Sequence, residues 1–480
     1  MAGRVADRGV VLSMAAKATS RPEGRPRAPR SPEETARDWT QGQMLPPAGL
    51  DRVKEAAAGS RQTQFTALLH HVDAHALERA YRRQRKAAAP GIDGVTVEAY
   101  GRDLEANLRD LKDRIHRGAY RPKPVRRVHI PKADGGKRPL GLPALEDKIV
   151  QGAVAEVLSA IYEADFLDCS YGFRPGRNAH DALAAVQKAV MAERANWVLD
   201  ADIRSFFDSV DHDWLLRMLA HRTADRRILE LIRRWLKAGV LEEGIYADTV
   251  EGTPQGAGIS PLLANIFLHY VLDLWVAQWE RRHATGPMRL VRYADDFVLT
   301  FQKQQDAERM MVDLAQRLAE FGLHLHEGKT RLVRFGRYAA EQRRNGGEGR
   351  PETFDFLGFT HYCATSREGR FVVKRRTQRK RKIRKLKALR QEMKRRMHEP
   401  LRDQQSWLLR VLRGHYAYYG IPGNSRALAA FRHEVERAWL ATLRRRSQRP
   451  HLPWSRFRHW LELFPLPEPR LTHAWRTNAA

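Results

Sequence analysis

The run Leu290-Val291-Arg292-Tyr293-Ala294-Asp295-Asp296-Phe297-Val298-Leu299 sets two adjacent carboxylates between two short apolar segments. Neighbouring acids repel each other and hydrate strongly, so an apolar run can carry them only where they meet water or a cation. A hairpin whose tip presents Asp295 and Asp296 meets that requirement, and a divalent metal is a ligand that such a tip suits. An ordinary polar turn between two strands meets it as well. A third carboxylate and a phosphate-handling surface elsewhere in the chain decide between the two.

The charge balance bears on that choice. Against 56 Asp and Glu stand 85 Lys and Arg, a formal charge of +29 and a pI near 10.5 over 480 residues. Such an excess points to a polyanionic partner, nucleic acid before membrane. No stretch approaches the roughly 20 consecutive apolar residues of a membrane span. Two cysteines, Cys169 and Cys363, cannot build a disulfide framework or a four-cysteine zinc site. His324 and His326 alternate with leucines but have no partners at zinc spacing, so no zinc is expected. A reducing compartment follows. Residues 1–60 read as a basic, disordered extension, because Val-Val-Leu is too short for a secretory core.

Along the chain, Phe65 to Lys86 and Val95 to Ile115 carry apolar residues at helical spacing. Val128 to Leu142 reads as a hairpin around Ala133-Asp134-Gly135-Gly136, with Lys132 and Arg138 on either side of the turn. The pair either grips one anion or lines a solvated basic hairpin. Helices follow over Glu146–Ile161 and His180–Ala192. Between them, Ser170-Tyr171-Gly172-Phe173-Arg174-Pro175-Gly176-Arg177 is a shaped loop, suited to strand contact and equally to packing.

Trp197 to Ile203 is a short strand. Its alternation puts Val198, Asp200 and Asp202 on one face and Leu199, Ala201 and Ile203 on the other. Asp202 is therefore the candidate third acid and Asp200 its neighbour, while Asp208 and Asp211 suit a turn and a helix start. Gly252 to Pro261 is a glycine-rich loop through which backbone can approach a ligand closely. A helix spans Asp306 to Glu320. From Lys374 to Arg396 a dense basic run carries Ile383, Leu386, Leu389 and Met393 as one helical stripe, a basic amphipathic helix whose charge calls for a polyanion. Helices over Trp407–Tyr419, Ala427–Arg446 and Trp454–Phe464 complete the chain.

Three separated acids, a glycine-rich loop and a basic anion grip are the parts of a nucleotidyl transferase. Two magnesium ions held by carboxylates activate a primer 3′-hydroxyl and stabilise leaving pyrophosphate. Asp202 and Asp295 would bridge them, with Asp296 completing the site.

The chain resembles the reverse transcriptases, or maturases, encoded by bacterial group II introns, from about Phe65 to Phe464. Eight motifs stand in the family's order: Ala-Ala-Pro-Gly-Ile-Asp-Gly at 88–94, Ile-Pro-Lys-Ala-Asp-Gly-Gly-Lys-Arg-Pro-Leu-Gly at 130–141, Ser-Tyr-Gly-Phe-Arg-Pro-Gly-Arg at 170–177, Asp-Ile-Arg-Ser-Phe-Phe-Asp at 202–208, Thr-Pro-Gln-Gly at 253–256, Tyr-Ala-Asp-Asp at 293–296, Gly-Leu-His-Leu-His-Glu-Gly-Lys-Thr at 322–330 and Phe-Leu-Gly-Phe at 356–359. The resemblance implies that Asp202, Asp295 and Asp296 bind the metals with the Ile203 carbonyl. It implies that Lys132 and Arg138 grip the triphosphate, that Phe207 excludes a ribose 2′-hydroxyl, that Gln255 lies beside the incoming nucleotide and that Lys329 protonates pyrophosphate. Arg174, Arg177, Lys380, Arg384, Lys387 and Tyr416 are the candidate nucleic-acid contacts. His415 stands where many relatives have Trp.

The fold that follows is α+β, a right-handed polymerase with fingers and palm over 61–362 and an all-α thumb or maturase domain over 363–480. The expected partners are group II intron RNA, an RNA template with a DNA primer, dNTPs and target DNA, in the bacterial cytoplasm or nucleoid. No His-Asn-His endonuclease module is expected after Trp460. Other readings of the same residues are an RNA-binding maturase acting mainly in splicing, and a related enzyme recruited to host defence or repair.

Overall fold

The structure is a computed structural model. It describes residues 48–131, 137–242, 245–247, 252, 258–446 and 452–473. Lys132 and Gln255, and the side chain of Arg138, lie outside the described residues.

The described chain begins with α1 (Asp51–Gly59), where Leu50, Val53 and Ala57 fall on one face and are buried. This corrects the expected disordered extension over 1–60 from residue 48 onward. Arg222, 1% exposed, pairs with Asp165 at 3.0 Å and donates to the carbonyls of Ala57, Ser60 and Thr63. A buried guanidinium thus caps the helix end whose carbonyls would otherwise lack partners.

Helices α2 (Ala74–Arg82) and α3 (Leu104–His116) pack with α4 (Leu145–Tyr162), which is buried along most of its length. Within it, Glu156 is 4% exposed and accepts from Arg79, at 3.1 Å, and from Arg83. The expected basic hairpin forms as antiparallel β1 (Val125–Pro131) and β2 (Lys137–Leu142). Helix α5 (Ala179–Met191) starts at a capping box between Asn178 and Asp181.

The sheet that organises the molecule starts with β3 (Trp197–Asp202). Helices α6 (His212–Ala220) and α7 (Arg226–Leu236) lead to β4 (Val240–Glu242), which joins β1 in parallel, and to β5 (Ile245–Ala247). Next come α8 (Ser260–Leu268), a π-helical turn at His269–Asp273 and α9 (Leu274–His283). Among the described residues, Ser260–His283 is the one helix long and apolar enough to cross a membrane, and 72% of its apolar window is buried inside the protein. Strands β6 (Met288–Tyr293) and β7 (Asp296–Phe301), helix α10 (Gln304–Ala319) and strand β8 (Arg331–Arg334) follow, giving the antiparallel order β6-β7-β3-β8.

That sheet separates two cores, as strand alternation requires. Leu199, Ala201, Leu290, Phe297, Leu299 and Phe301 face the core that holds α4 and α8. Val198, Val291, Val298 and Val333 face the other, which holds α5 and the C-terminal helices. Asp200 and Asp202 therefore share Val198's face, as expected from the sequence.

After α11 (Arg337–Asn345), strands β9 (Phe354–Phe356), β10 (Phe359–Thr365) and β11 (Phe371–Thr377) form a second antiparallel sheet. Strand β10 runs through residues 362 and 363, so the expected domain boundary falls inside a strand. The basic run also begins as strand. Val373, Arg375 and Thr377 alternate inward at 1%, 8% and 7% exposure, and α12 (Arg379–Arg395) starts after them. Leu386, Leu389 and Met393 are buried as the stripe predicts, whereas Ile383 is 53% exposed. Helices α13 (Leu401–Tyr419), α14 (Ser425–Arg444) and α15 (Trp454–Leu463) complete the second core. The described architecture is α+β.

Candidate active site

Tyr293 pairs with Asp296, so β6 and β7 are joined by the two residues Ala294 and Asp295 alone. Ala294 takes φ 58°, the left-handed region that two-residue hairpins require and that costs a residue with a side chain about 1 kcal/mol or more. Neighbouring groups hold it there. Arg292 Nη1 donates to the Ala294 carbonyl at 3.0 Å, and the same guanidinium reaches Asn265 Oδ1 at 2.9 Å and Ser170 Oγ at 2.8 Å. Arg292 pairs with Asp273 at 2.6 Å, both side chains 0% exposed.

The Ser170 loop packs against this hairpin. Arg292 N donates to Cys169 O, and Tyr171 N to Arg292 O, each at 2.8 Å. Asn265 Nδ2 donates to Gly172 O at 2.7 Å, and a Cβ on Gly172 would stand 2.4 Å from Ala294 N. Of the two uses open to this loop, packing is the one seen for its first three residues.

Asp202 faces Asp296 across β3 and β7, with Asp295 at the adjoining tip. Burial, and after it the charges of Asp295 and Asp200, push the Asp296 carboxyl up to about 7, with Arg381 pulling the other way. Burial also raises Asp200 to about 6, against the pull of Arg331, whose Nε lies 3.5 Å from Asp200 Oδ2. Lys329 Nζ is 2.7 Å from Asp202 Oδ2 at a largely exposed pair.

The backbone explains how Lys329 arrives there. Beyond β3, Ile203 bridges Leu325, with Arg204 N on His324 O at 2.8 Å and His326 N on Asp202 O at 2.7 Å. That pairing uses the Asp202 carbonyl and the Arg204 N–H and leaves the Ile203 carbonyl out of it. His326 O then accepts from Lys329 N and Thr330 N, closing the turn that carries the lysine back to Asp202.

Among the described residues, no three Asp, Glu, His or Cys side chains converge closely enough to hold a metal ion as arranged. The sheet sets Asp202 opposite Asp296 with Asp295 adjoining, and their carboxylate oxygens are the donor type that a hard divalent cation prefers. Their mutual repulsion is the electrostatic condition that bound positive charge relieves.

Phe207 follows on a 3-10 turn, part-buried, meeting buried Phe206 edge-on at 5.2 Å. The candidate nucleic-acid contacts divide. Lys380 and Lys387 are exposed on α12, and Arg384 is half-buried. Arg177 lies over Tyr171 and pairs with Asp168 at 2.5 Å. Arg174 is 7% exposed, with its guanidinium taken up by Glu163 and by the carbonyls of Leu167 and Ser170. It staples the loop and does not face outward. Tyr416 is corrected likewise. At 3% exposure it shares the buried face of α13 with Leu408, Leu412 and Tyr419, and His415 stacks on Phe431 at 3.8 Å.

Sequence reasoning passed over Arg292, Asp273 and Asn265. Each is a polar residue inside an apolar run, which was the available signal.

The family description reverse transcriptase (RNA-dependent DNA polymerase) matches residues 130–361. Residues 130–361 belong to the reverse transcriptase family. Asp202, Asp295, Asp296 and Lys329 all lie in this reverse transcriptase domain. The chain is 37% identical to Protein YkfC of Escherichia coli over 241 residues, 44% of this chain and 63% of that protein. It is 41% identical over 194 residues to the group II intron-encoded protein LtrA of Lactococcus lactis subsp. cremoris, 40% of this chain and 31% of the relative. It is 46% identical over 254 residues to a 91 kDa protein in the cob intron of Schizosaccharomyces pombe, 52% of this chain and 30% of the relative. The chain thus spans less than two thirds of the length of each of these relatives.

Proposed function

We propose that this chain is an RNA-directed DNA polymerase that also binds a group II intron RNA, assisting its splicing and mobility. The observation that carries this reading is the facing of Asp202 and Asp296 across β3 and β7, with Asp295 beside them, inside a reverse transcriptase domain. In this reading the sheets and helices up to about residue 362 act as fingers and palm. The helices from α12 onward act as the thumb.

Asp202, Asp295 and Asp296, with the Ile203 carbonyl, would hold two magnesium ions, whose chemistry when bound is to activate the primer 3′-hydroxyl and neutralise the leaving pyrophosphate. Lys329 stands beside Asp202 with an ammonium able to give a proton to the departing group. Lys132 and Arg138 grip the triphosphate, Gln255 lies along the nucleotide, and Phe207 closes on the sugar to exclude a 2′-hydroxyl. The exposed cations of α12 neutralise RNA phosphates. Target DNA is the further partner in mobility, and the bacterial cytoplasm or nucleoid is the place of action.

The test is primer extension by the full chain with a DNA primer on an RNA template and all four dNTPs. Template-length cDNA with magnesium, and none after chelation, is expected. An absence of cDNA under both conditions overturns the reading.

A further inference from the structure

Gly252 is held at both of its backbone polar groups. Its N–H donates to the Val210 carbonyl at 2.9 Å, and its carbonyl lies 2.6 Å from His212 Nε2. His212 opens α6 and is 6% exposed. A carbonyl only accepts, so Nε2 carries the ring hydrogen. Nδ1 is then a buried acceptor with no partner among the described residues. Desolvating that nitrogen costs free energy, and the bond from Nε2 to Gly252 offsets it.

The other side of Gly252 presses on the peptide that follows Phe207. Gly252 has φ +88°, and a Cβ there would stand 2.8 Å from the Phe207 carbonyl oxygen and 3.0 Å from Asp208 Cα. Backbone atoms at such distances cannot turn aside as a flexible side chain would. Phe207 is restrained from below as well, since Phe206 is 2% exposed and packs edge-on against it. Ser205, at φ 46°, makes a left-handed turn between the end of β3 and this pair. The placement of the Phe207 ring therefore depends on Phe206 on one side and on Gly252, pinned by His212, on the other.

We propose that His212 is a positioning residue for sugar selection, acting through Gly252 on Phe207. The inference rests on the polymerase reading, in which Phe207 faces the 2′ position of the incoming nucleotide. A wall that excludes one hydroxyl works by contact, so a backbone free to retreat lets the larger sugar in. His212 itself touches neither nucleotide nor metal in this role.

The experiment is single-nucleotide incorporation on an RNA template, with a dNTP or the matching rNTP, by the full chain and by His212→Leu, His212→Gln and Gly252→Ala. His212→Leu removes the donor. Its preference for dNTP over rNTP is expected to fall about tenfold, through a lower KM for the rNTP with kcat for the dNTP nearly unchanged. His212→Gln carries an amide donor of similar reach and restores the preference. Gly252→Ala forces a methyl group onto the Phe207 carbonyl and alters the preference without touching His212. A folded His212→Leu with wild-type preference overturns the proposal. If that variant does not fold, wild-type preference in Gly252→Ala overturns it. Failure of the unaltered chain to incorporate any dNTP refutes the polymerase reading beneath it instead.

Discussion

Arg292 and Asp273 form an ion pair with both side chains fully withdrawn from water, Nε to Oδ1 at 2.7 Å and Nη2 to Oδ2 at 2.6 Å. The remaining guanidinium nitrogen donates to Ala294, between Tyr293 and Asp295. The pair thus ties the π-helical turn ending at Asp273 to the hairpin that presents the acids. Asp273→Ala strands a buried cation. It is expected to lower stability by about 3–5 kcal/mol, read as a fall in the urea midpoint, and to reduce cDNA synthesis. An unchanged midpoint would contradict this role.

Two buried histidines withdraw stability as pH falls. Burial holds His269 down to about 4 and His361 down to about 3, while each titrates near 6.5 in the unfolded chain. Because the folded values are depressed, the unfolded state takes up protons first as pH falls. Their contribution is whole above pH 6.5 and is lost on descent toward 4 and 3, by up to about 1.4 kcal/mol per pH unit for each proton. The buried carboxyls of Asp296 and Asp200, held up to about 7 and about 6, act in the opposite sense over the same range, so the histidine contribution is read as a difference between two proteins. His361→Phe, which preserves the stack on Phe354 at 4.6 Å, should gain in urea midpoint relative to the unaltered chain as pH falls from 7 to 4. A constant difference between the two proteins over that range would exclude His361 as a source.

Lys329 reaches Asp202 from a turn closed by its own N–H on the His326 carbonyl. If it supplies a proton to the leaving pyrophosphate, Lys329→Ala lowers the single-turnover rate of nucleotide addition about a hundredfold. The apparent affinity for dNTP should change far less. Rapid-quench primer extension separates the two, and an unaltered rate would remove the lysine from the chemistry.

Lys380 and Lys387 project from α12 on the side opposite Leu386 and Leu389. Replacing both lysines by glutamine should weaken RNA binding most at low salt. The slope of log affinity against log salt should become shallower by about 0.7 for each single-strand phosphate that the variant no longer neutralises. Parallel slopes for the two proteins would show that these lysines do not meet phosphate.

The acid arrangement was legible because strand alternation is a local property. Val198, Asp200 and Asp202 lie on one face whatever surrounds them, and an adjacent pair of acids between apolar runs forces a tip. What local pattern could not convey was which cations are already engaged. Arg174 reads as a surface cation until Glu163 and two carbonyls are folded around it, and Tyr416 reads as free until α13 turns it inward. The first helix was missed because Leu50, Val53 and Ala57 make a narrow stripe next to the basic N-terminal segment, and Arg222, distant in sequence, completes its end. Lys374 to Thr377 were misread because charge density masked a period of two, in which Arg375 points inward beside Val373.

The most direct measurement pairs cDNA synthesis with RNA binding in one preparation of Asp295→Ala. Asp295 sits at the hairpin tip, whereas the exposed Lys380 and Lys387 stand on α12, so removing its carboxylate should disable nucleotide transfer and leave these lysines in place. The expected result is loss of template-directed extension with RNA affinity close to that of the unaltered chain. Undiminished extension by Asp295→Ala would contradict the assignment of Asp202, Asp295 and Asp296 as the polymerase centre.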